Sequence, residues 1–402
     1  MPKIGSLASR QFERILLIKP SAFGDVLHTL PVLVKLRARY PAARIDWLIT
    51  PENADLVQYH PALSNVVLFA RRDYARWSRV LAAGAGLLGL VNSLQVAQYD
   101  LAIDLHGQFR SAFFVLASGA AVRIGFDRPL RLSASSAVSF SRGTAEDAEA
   151  RREPALRRGW RGAREGSWMA YTHRIPIPTL DLHAVDRYLW LGPMLGLDDG
   201  PPDLRVYWPA EAEERADALL RRHALRSFAM LVPGTIWRTK HWHEEGFASV
   251  GRYLLQQGLG VILVGTARER PRCQAIAARC PGACDLSGQT SPSELAAVMN
   301  RSAINVTNDS GAMHLAVALN RPVVSIFGPT NSIWVGPYRR PQAVVRVDLP
   351  CSPCYFRRLS QCPNDHACMN QVSAEQVIER IKIVLGCAEA SEKKHPDLNL
   401  AG

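Results

Sequence analysis

Residues 306–330, VTNDSGAMHLAVALNRPVVSIFGPT, limit the fold more than any other part of the sequence. They read as an apolar strand, a polar turn, a short helix, a second apolar strand and another glycine turn. Capping oxygens and a glycine precede the apolar run 313–319, so a helix is predicted to begin there, and Pro322 stops it. Because a helix N-terminus carries unpaired N–H groups and partial positive charge, the segment predicts an anion-binding corner of a parallel sheet.

The length and composition favour a two-domain globular protein. The chain has 402 residues, of which 48% are hydrophobic, and can bury two α/β cores. Residues 80–91 are apolar but only about half as long as a membrane-spanning helix. The N-terminus MPKIGSLASRQFER lacks the apolar core of a secretion signal, so we expect a cytoplasmic protein in which disulfides are disfavoured.

The formal net charge of +12 favours an anionic partner: nucleic acid, an anionic membrane face or a phosphorylated substrate. The sequence has no aromatic-and-basic RNA motif and no recognition-helix signature, so nucleic acid is not expected among the partners. Because the basic residues are 41 arginines and only 7 lysines, Lys19 and Lys240 stand out within motif-like segments.

Short apolar runs alternate with amphipathic stretches along the chain, which is typical of βα units over a parallel sheet. We predict an N-terminal α/β domain over residues 1–203, with a mobile insertion at about 141–167 that lacks strand signals. A second such domain is predicted over 204–387, followed by a polar tail at 388–402. Open α/β sheets bind ligands at the carboxyl ends of their strands, so two domains facing each other across a cleft are expected.

Asp25 follows the first predicted strand, in the turn KPSAFGDVLHTLP, and lies at the start of a helix. One interpretation is a capping carboxylate that the helix dipole favours. The other is a general base, because a carboxylate at the carboxyl end of a strand can accept a proton from a hydroxyl group. The turn contains one glycine where a dinucleotide-binding fingerprint needs three.

The second half contains candidate ligands for a diphosphate. The segment VPGTIWRTKHW follows a buried strand and supplies hydroxyl, N–H and ammonium groups, unless it is an ordinary solvated basic loop. Glu269, at the end of the next strand, is a candidate ribose partner or a merely exposed side chain. The candidate ligands of the diphosphate and ribose, called the candidate donor-binding residues below, are Thr235, Lys240, Glu269, Asp309, Ser310, Gly311 and His314.

Four cysteines lie close together near the C-terminus: Cys351, Cys354, Cys362 and Cys368. In a reducing compartment this spacing favours a metal site over two disulfides, with structural zinc as the first candidate. The second pair lacks CxxC spacing, so free or redox-labile thiols are the alternative. Four thiolates would leave no open position on the metal for catalysis.

Taken together, these segments resemble the bacterial glycosyltransferase family that contains the ADP-heptose:lipopolysaccharide heptosyltransferases. The matching sequences are KPSAFGDVLHTLP, DLHGQFR, HAVDRY, GTIWRTKHW and NDSGAMHLAVALNRPVVSIFGPT. The resemblance extends from Arg14 to about Leu385. The four-cysteine segment and the 141–167 insertion are absent from the best-known heptosyltransferases.

This resemblance implies a GT-B fold, in which two Rossmann-like domains have the active site between them. It also implies inverting transfer of a sugar from a nucleotide diphosphate, with no metal cofactor required for catalysis. Asp25 would deprotonate the acceptor, and the candidate donor-binding residues would hold the diphosphate and ribose. The implied partners are ADP-heptose or a similar nucleotide sugar and an anionic lipopolysaccharide inner-core precursor, met at the inner membrane face. The implied acceptor-binding residues are Arg71, Arg72, Arg131 and His183.

Two alternatives stay open at this point. The chain could be a glycosyltransferase of the same family that uses another nucleotide sugar or acceptor. It could instead be a non-catalytic relative that retains affinity for nucleotide sugars. The order of heptose addition and the oligomeric state do not follow from the sequence.

Overall fold

A computed structural model of the chain describes residues 7–70, 80–129 and 158–394. The chain divides into two compact units, residues 1–134 with 160–208, and residues 135–159 with 209–402. The division falls after Trp208, whereas the sequence placed the boundary at 203. Three of the predicted acceptor-binding residues, Arg71, Arg72 and Arg131, lie outside the described residues.

The first unit contains a six-stranded parallel sheet in the order β3-β2-β1-β4-β5-β6. Its strands are β1 Arg14–Ile18, β2 Arg44–Ile49, β3 Asn65–Leu68, β4 Leu101–Asp104, β5 Val122–Phe126 and β6 His173–Ile175. Its helices are α1 Phe23–Leu27, α2 Leu30–Arg39, α3 Pro51–Ala54, α4 Val80–Val96, α5 Phe109–Ala117, α6 Ala184–Tyr188 and α7 Gly192–Leu195. The central strands are almost wholly buried because both faces of a parallel sheet are covered.

The second unit repeats this architecture with the strand order β12-β11-β10-β7-β8-β9. Its strands are β7 Phe228–Val232, β8 Gly260–Leu263, β9 Ala283–Asp285, β10 Ile304–Asn308, β11 Val323–Ile326 and β12 Val344–Val345. Its helices are α8 Ala210–Arg222, α9 Glu244–Gln256, α10 Arg270–Arg279, α11 Pro292–Met299, α12 Gly311–Ala318, α13 Ser332–Val335, α14 Ala367–Asn370 and α15 Ala374–Lys394.

The strand register fixes where the candidate residues lie. In the first unit Ile18 of β1 pairs with Leu48 of β2 and with Asp104 of β4, so the turns after β1 and β4 start side by side. In the second unit Thr307 of β10 pairs with Val232 of β7, and Asn308 pairs with Ile326 of β11. The carboxyl ends of the central strands therefore bring the predicted motifs of each unit together.

Several local details differ from the sequence-based expectation. Residues 22–39, for which the sequence predicts a loop followed by a helix, form two helices, α1 and α2, separated at His28 and Thr29. The described end of the predicted insertion packs into the first unit, where Trp160 contacts Phe126 edge-on. The last helix, α15, continues through Lys394 and so includes the beginning of the predicted polar tail.

No helix in the described ranges, which leave out residues 71–79 and 130–157 and the two ends of the chain, is both long and apolar enough to cross a membrane.

Candidate active-site residues

Asp25 lies in the third position of α1, just beyond the carboxyl end of β1. Its side chain is 41% exposed, so the carboxylate reaches solvent while one edge contacts the protein. The backbone N–H of Ala22 donates to its Oδ2 at 3.4 Å, a long bond of the kind expected from a capping carboxylate. The geometry therefore contains the helix-start contact and leaves a carboxylate surface available to a ligand.

Lys19 and Tyr188 both contact the Asp25 carboxylate. The buried Lys19 ammonium donates to the Tyr188 hydroxyl at 2.7 Å and to the Leu105 carbonyl at 3.0 Å. It lies 3.7 Å from Asp25 Oδ2, and the Tyr188 hydroxyl lies 3.4 Å from Asp25 Oδ1. Sequence reasoning noticed Lys19 without giving it a role and missed Tyr188 as its partner.

The pKa values of this pair are shifted in the direction that keeps Lys19 charged and Tyr188 neutral. Burial alone lowers the pKa of Lys19, but the negative charge of Asp25, the hydrogen bond to the Tyr188 hydroxyl and the negative charge of Asp104 outweigh it, and the net pKa is raised. Burial raises the pKa of the Tyr188 phenol, and the Asp25 carboxylate raises it further. A fixed cation and a neutral hydroxyl therefore face the candidate base.

The DLHG turn after β4 positions the Leu105 carbonyl, which accepts a hydrogen bond from Lys19. The buried Asp104 carboxylate accepts the N–H groups of His106 and Gly107 at 2.8 and 3.0 Å, and the Tyr171 hydroxyl at 2.7 Å. Burial raises the pKa of Asp104, while these donated hydrogen bonds oppose the shift. The turn so formed presents the Leu105 carbonyl to Lys19.

His183, predicted to contact the acceptor, is buried and caps α6 by accepting the Val185 N–H at 3.2 Å. Its ring packs edge-on against His28, with the centroids 5.0 Å apart. His28 in turn places Nδ1 4.0 Å from Asp25 Oδ1. The structure thus places His183 next to His28 at the edge of the Asp25 site, where its ring also caps α6.

In the second unit, the loop after β7 is shaped by Glu269. Glu269 accepts the backbone N–H and the hydroxyl of Thr266 at 2.7 and 2.9 Å. The carboxylate then lies against the Cα of Gly234, where an added Cβ would clash with it. The absence of a side chain at Gly234 therefore lets the Glu269 carboxylate lie against the loop after β7, and the loops after β7 and β8 present their polar groups side by side.

Asp309 organises the predicted donor ligands. Lys240 Nζ lies 2.6 Å from Asp309 Oδ2, and the Thr330 hydroxyl donates to the same oxygen at 2.5 Å. The Thr235 hydroxyl donates to the Asp309 backbone carbonyl at 3.1 Å. Segments that are far apart in the sequence thus meet at one residue, as expected, although Thr330 was not singled out as a ligand.

The start of α12 completes this group. Ser310 is the residue before the helix, and among the described residues its buried Oγ has no hydrogen-bond partner. Gly311 follows at the first helical position, and the buried His314 lies one turn further along the helix. An unpartnered hydroxyl beside the free N–H groups of a helix start can donate to an anion.

The cysteine-rich segment is hydrogen-bonded to two loops of the second unit, the loop after β11 and the loop after β7. The N–H groups of Cys354 and Tyr355 donate to the Pro329 carbonyl at 3.0 and 2.8 Å, and the Thr239 hydroxyl donates to the Phe356 carbonyl at 2.6 Å. Burial, together with the three other cysteines of the segment, raises the pKa of the Cys368 thiol to about 12. A segment that contacts both loops can affect how they are held.

Within the described ranges, no group of three or more histidine, cysteine, aspartate or glutamate side chains is arranged to hold a metal ion. All of the described cysteines, including the four of this segment, are free thiols. A metal at the four cysteines therefore stays a prediction.

Two Rossmann-like units, each with a parallel six-stranded sheet, are the architecture of the GT-B fold. The sequence profile of glycosyltransferase family 9 (heptosyltransferase) matches residues 87–149 and 150–366. The chain belongs to this family, as its sequence motifs predicted.

Known proteins resemble this chain over most of its length. Lipopolysaccharide heptosyltransferase 1 of Pseudomonas aeruginosa is 30% identical over 356 residues, which are 88% of this chain and 89% of the relative. A family 9 glycosyltransferase from Veillonella parvula superposes with a TM-score of 0.72 at 20% identity, covering 95% of this chain and 99% of that one. The Escherichia coli heptosyltransferase WaaC with ADP gives 0.69 at 24% identity, covering 92% and 99%. The GT-B fold class is thereby confirmed.

Proposed function

We propose that the protein transfers heptose from ADP-heptose to the inner core of lipopolysaccharide, with inversion at the anomeric carbon. The acceptor would be lipid A–Kdo or its heptosylated form. Support comes from membership of family 9 and from the relative named lipopolysaccharide heptosyltransferase 1. The observation that carries the donor assignment is the anion site at α12, where the unpartnered Ser310 hydroxyl accompanies the helix start.

In the proposed reaction Asp25 accepts the proton of an acceptor hydroxyl as its oxygen bonds to the anomeric carbon. The bond between that carbon and the diphosphate oxygen breaks, and ADP leaves with the electron pair. Lys240, Ser310 and the N–H groups at the start of α12 stabilise the negative charge that develops on the leaving diphosphate. Positioning and charge stabilisation by these residues need no metal cofactor, so we expect the rate to be insensitive to EDTA.

The remaining predicted residues have assigned tasks in this proposal. Glu269 contacts the donor ribose, and the backbone of Gly311 with His314 contributes to the diphosphate site. The anionic acceptor is held by Arg71, Arg72, Arg131 and His183.

We further propose that the enzyme works in the cytoplasm and contacts the inner leaflet peripherally, because its acceptor is linked to lipid. The net charge of +12 favours an anionic membrane face, with about 1 kcal/mol for each Lys or Arg near the surface.

The test is a mass-spectrometric transfer assay with ADP-heptose, ADP-glucose and UDP-glucose as donors, each offered deacylated Kdo and heptosyl-Kdo acceptors. Wild-type protein is expected to use ADP-heptose, and the preferred acceptor fixes the order of addition. Transfer from another donor would establish the family alternative, and binding without transfer would establish the non-catalytic one.

Asp25→Asn tests the base within the same assay. We expect its rate to fall by about 10²–10⁴ while ADP affinity is unchanged, because the amide cannot accept the proton. Asp199→Asn, at an exposed carboxylate of the same unit, is the matched control and should keep full activity. A folded Asp25→Asn protein with near-wild-type transfer would show that another group is the base.

A further inference from the structure

Helix α4 is unusually apolar for a helix that faces solvent. The sequence of Val80–Val96 contains no charged residue. Among its described side chains, residues 85–96, only Leu94 is buried, whereas Leu88 and Val96 are 71% and 72% exposed. A helix with this composition is normally buried in a core or placed against an apolar partner.

The neighbouring helix α5 adds a second exposed apolar row. Phe109, Phe113 and Leu116 are spaced by four and three residues, so they share one face, and all three are exposed. Helix α5 contacts both α4 and the short 3₁₀ helix Ser167–Ala170. That 3₁₀ helix contributes the exposed Met169.

These adjoining elements form what we call the α4–α5 apolar surface, made of Leu88, Val96, Phe109, Phe113, Leu116 and Met169. Exposed apolar side chains are common singly, but six large ones on three packed elements mark a contact surface.

Positive charge flanks this surface. Arg110 is exposed on α5. Arg123 and Arg174 bracket the 3₁₀ helix by donating to the carbonyls of Ala170 and Trp168 at 2.8 and 3.2 Å.

Two carboxylates lie nearby, and both have partners. Glu165 accepts the Phe109 N–H at the start of α5 at 3.1 Å, and Asp127 lies 3.7 Å from Arg174. Large apolar and aromatic side chains beside arginines suit the boundary between lipid headgroups and acyl chains.

We propose that the α4–α5 apolar surface docks onto an anionic lipid bilayer. The choice of a bilayer as the occupant rests on the proposed function, in which the acceptor is lipid-linked. The surface would lie in the plane of the interface with its apolar side chains among the headgroups and upper acyl chains. Apolar burial then supplies the affinity, and the arginines supply the preference for anionic lipid.

The experiment is co-sedimentation of the full-length protein with vesicles of phosphatidylethanolamine and phosphatidylglycerol, compared with phosphatidylcholine vesicles. Wild-type protein is expected to bind the anionic vesicles in preference to the neutral ones. Leu88→Gln combined with Leu116→Gln should weaken this binding by about tenfold or more, since two large apolar side chains no longer enter the bilayer. Ile383→Gln, at an isoleucine 48% exposed on α15, should bind like wild type.

Two further measurements separate the outcomes. The double variant should keep the wild-type rate with a deacylated, water-soluble acceptor, so a failure of the proposed function appears as absent transfer whatever the vesicles show. Light scattering after size exclusion tests whether a second copy of the chain covers this surface instead. If the wild type is a dimer that does not bind vesicles, and the double variant is a monomer, the surface is an interface between two copies. Failure of wild type to bind anionic vesicles, or undiminished binding by the double variant, would likewise overturn the proposal.

Discussion

Replacing Lys19 by methionine should move the acid limb of the pH–rate profile upward. The acid limb of kcat/KM reports the group that acts as base in the free enzyme, which is Asp25 in the proposed mechanism. Lys19 Nζ lies 3.7 Å from Asp25 Oδ2, and its cation favours the ionised carboxylate. Methionine has a similar length and no charge, so the substitution removes mainly the electrostatic support.

The size of this effect follows from the distance. Two unit charges 3.7 Å apart interact by roughly 4 kcal/mol at an effective dielectric constant of about 20 and by roughly 1 kcal/mol in bulk water. Asp25 is partly exposed and Lys19 is buried, so the effective value lies between these limits. One pH unit corresponds to about 1.4 kcal/mol, and the midpoint of the acid limb is expected to rise by about one to three pH units.

The assay is kcat/KM for heptose transfer to a deacylated acceptor between pH 4.5 and 9, with circular dichroism to confirm folding. Tyr188→Phe is the control, because it removes the hydroxyl that contacts both Lys19 and Asp25 but changes no charge. Its acid limb should move much less than that of Lys19→Met. A folded Lys19→Met enzyme with the wild-type acid limb would refute the electrostatic role, and a larger shift in Tyr188→Phe would assign it to hydrogen bonding.

Three further predictions concern other parts of the chain. Gly234→Ala should place a Cβ against the Glu269 carboxylate, displace that flexible side chain from Thr266 with little change in Tm, and weaken ADP binding by calorimetry, whereas an unchanged Kd would contradict a role of this contact in the donor site. Burial lowers the pKa of His60 from 6.5 to about 4, so the unfolded chain binds the proton more readily as the pH falls through this window. The wild type should thereby lose about 2 kcal/mol between pH 8 and pH 5, a loss that His60→Asn removes in urea titrations at both pH values; equal pH dependence in both proteins would refute it. Elemental analysis of protein purified without chelator should find about one zinc per chain, lost in Cys368→Ser, and its absence from both would favour free thiols.

The strands and the positions of the candidate residues were predictable because their signals are local. Short buried runs followed by polar turns predicted β1, β7 and β10, and therefore the edge of each sheet at which Asp25 and Ser310 would lie. The division between α1 and α2 was not predicted. It lies at His28 and Thr29, where the Thr29 hydroxyl donates to the Asp25 carbonyl. Propensity over an apolar stretch does not reveal such a break.

The partners of these residues were not predictable, because they depend on long-range packing. Tyr188 is 169 positions from Lys19 and reaches it only after β4 and α6 are in place. The apolar run at 80–91 was recognised, but its composition alone would suit a buried helix. Only the folded unit shows that Leu88 faces solvent.

The same type of ion pair occurs in both units with the opposite group presented to the ligand. In the first unit the cation, Lys19, is buried and the carboxylate of Asp25 is left partly exposed. In the second unit Asp309 is the more buried member and is occupied by Lys240 and Thr330, so the groups left for a ligand are donors such as the Ser310 hydroxyl. A partly exposed carboxylate suits a proton acceptor, and a set of donors around a neutralised carboxylate suits an incoming anion. In the proposed reaction, a lysine–aspartate pair therefore has two uses: in the first unit it prepares a proton acceptor, and in the second it prepares a site for the leaving diphosphate.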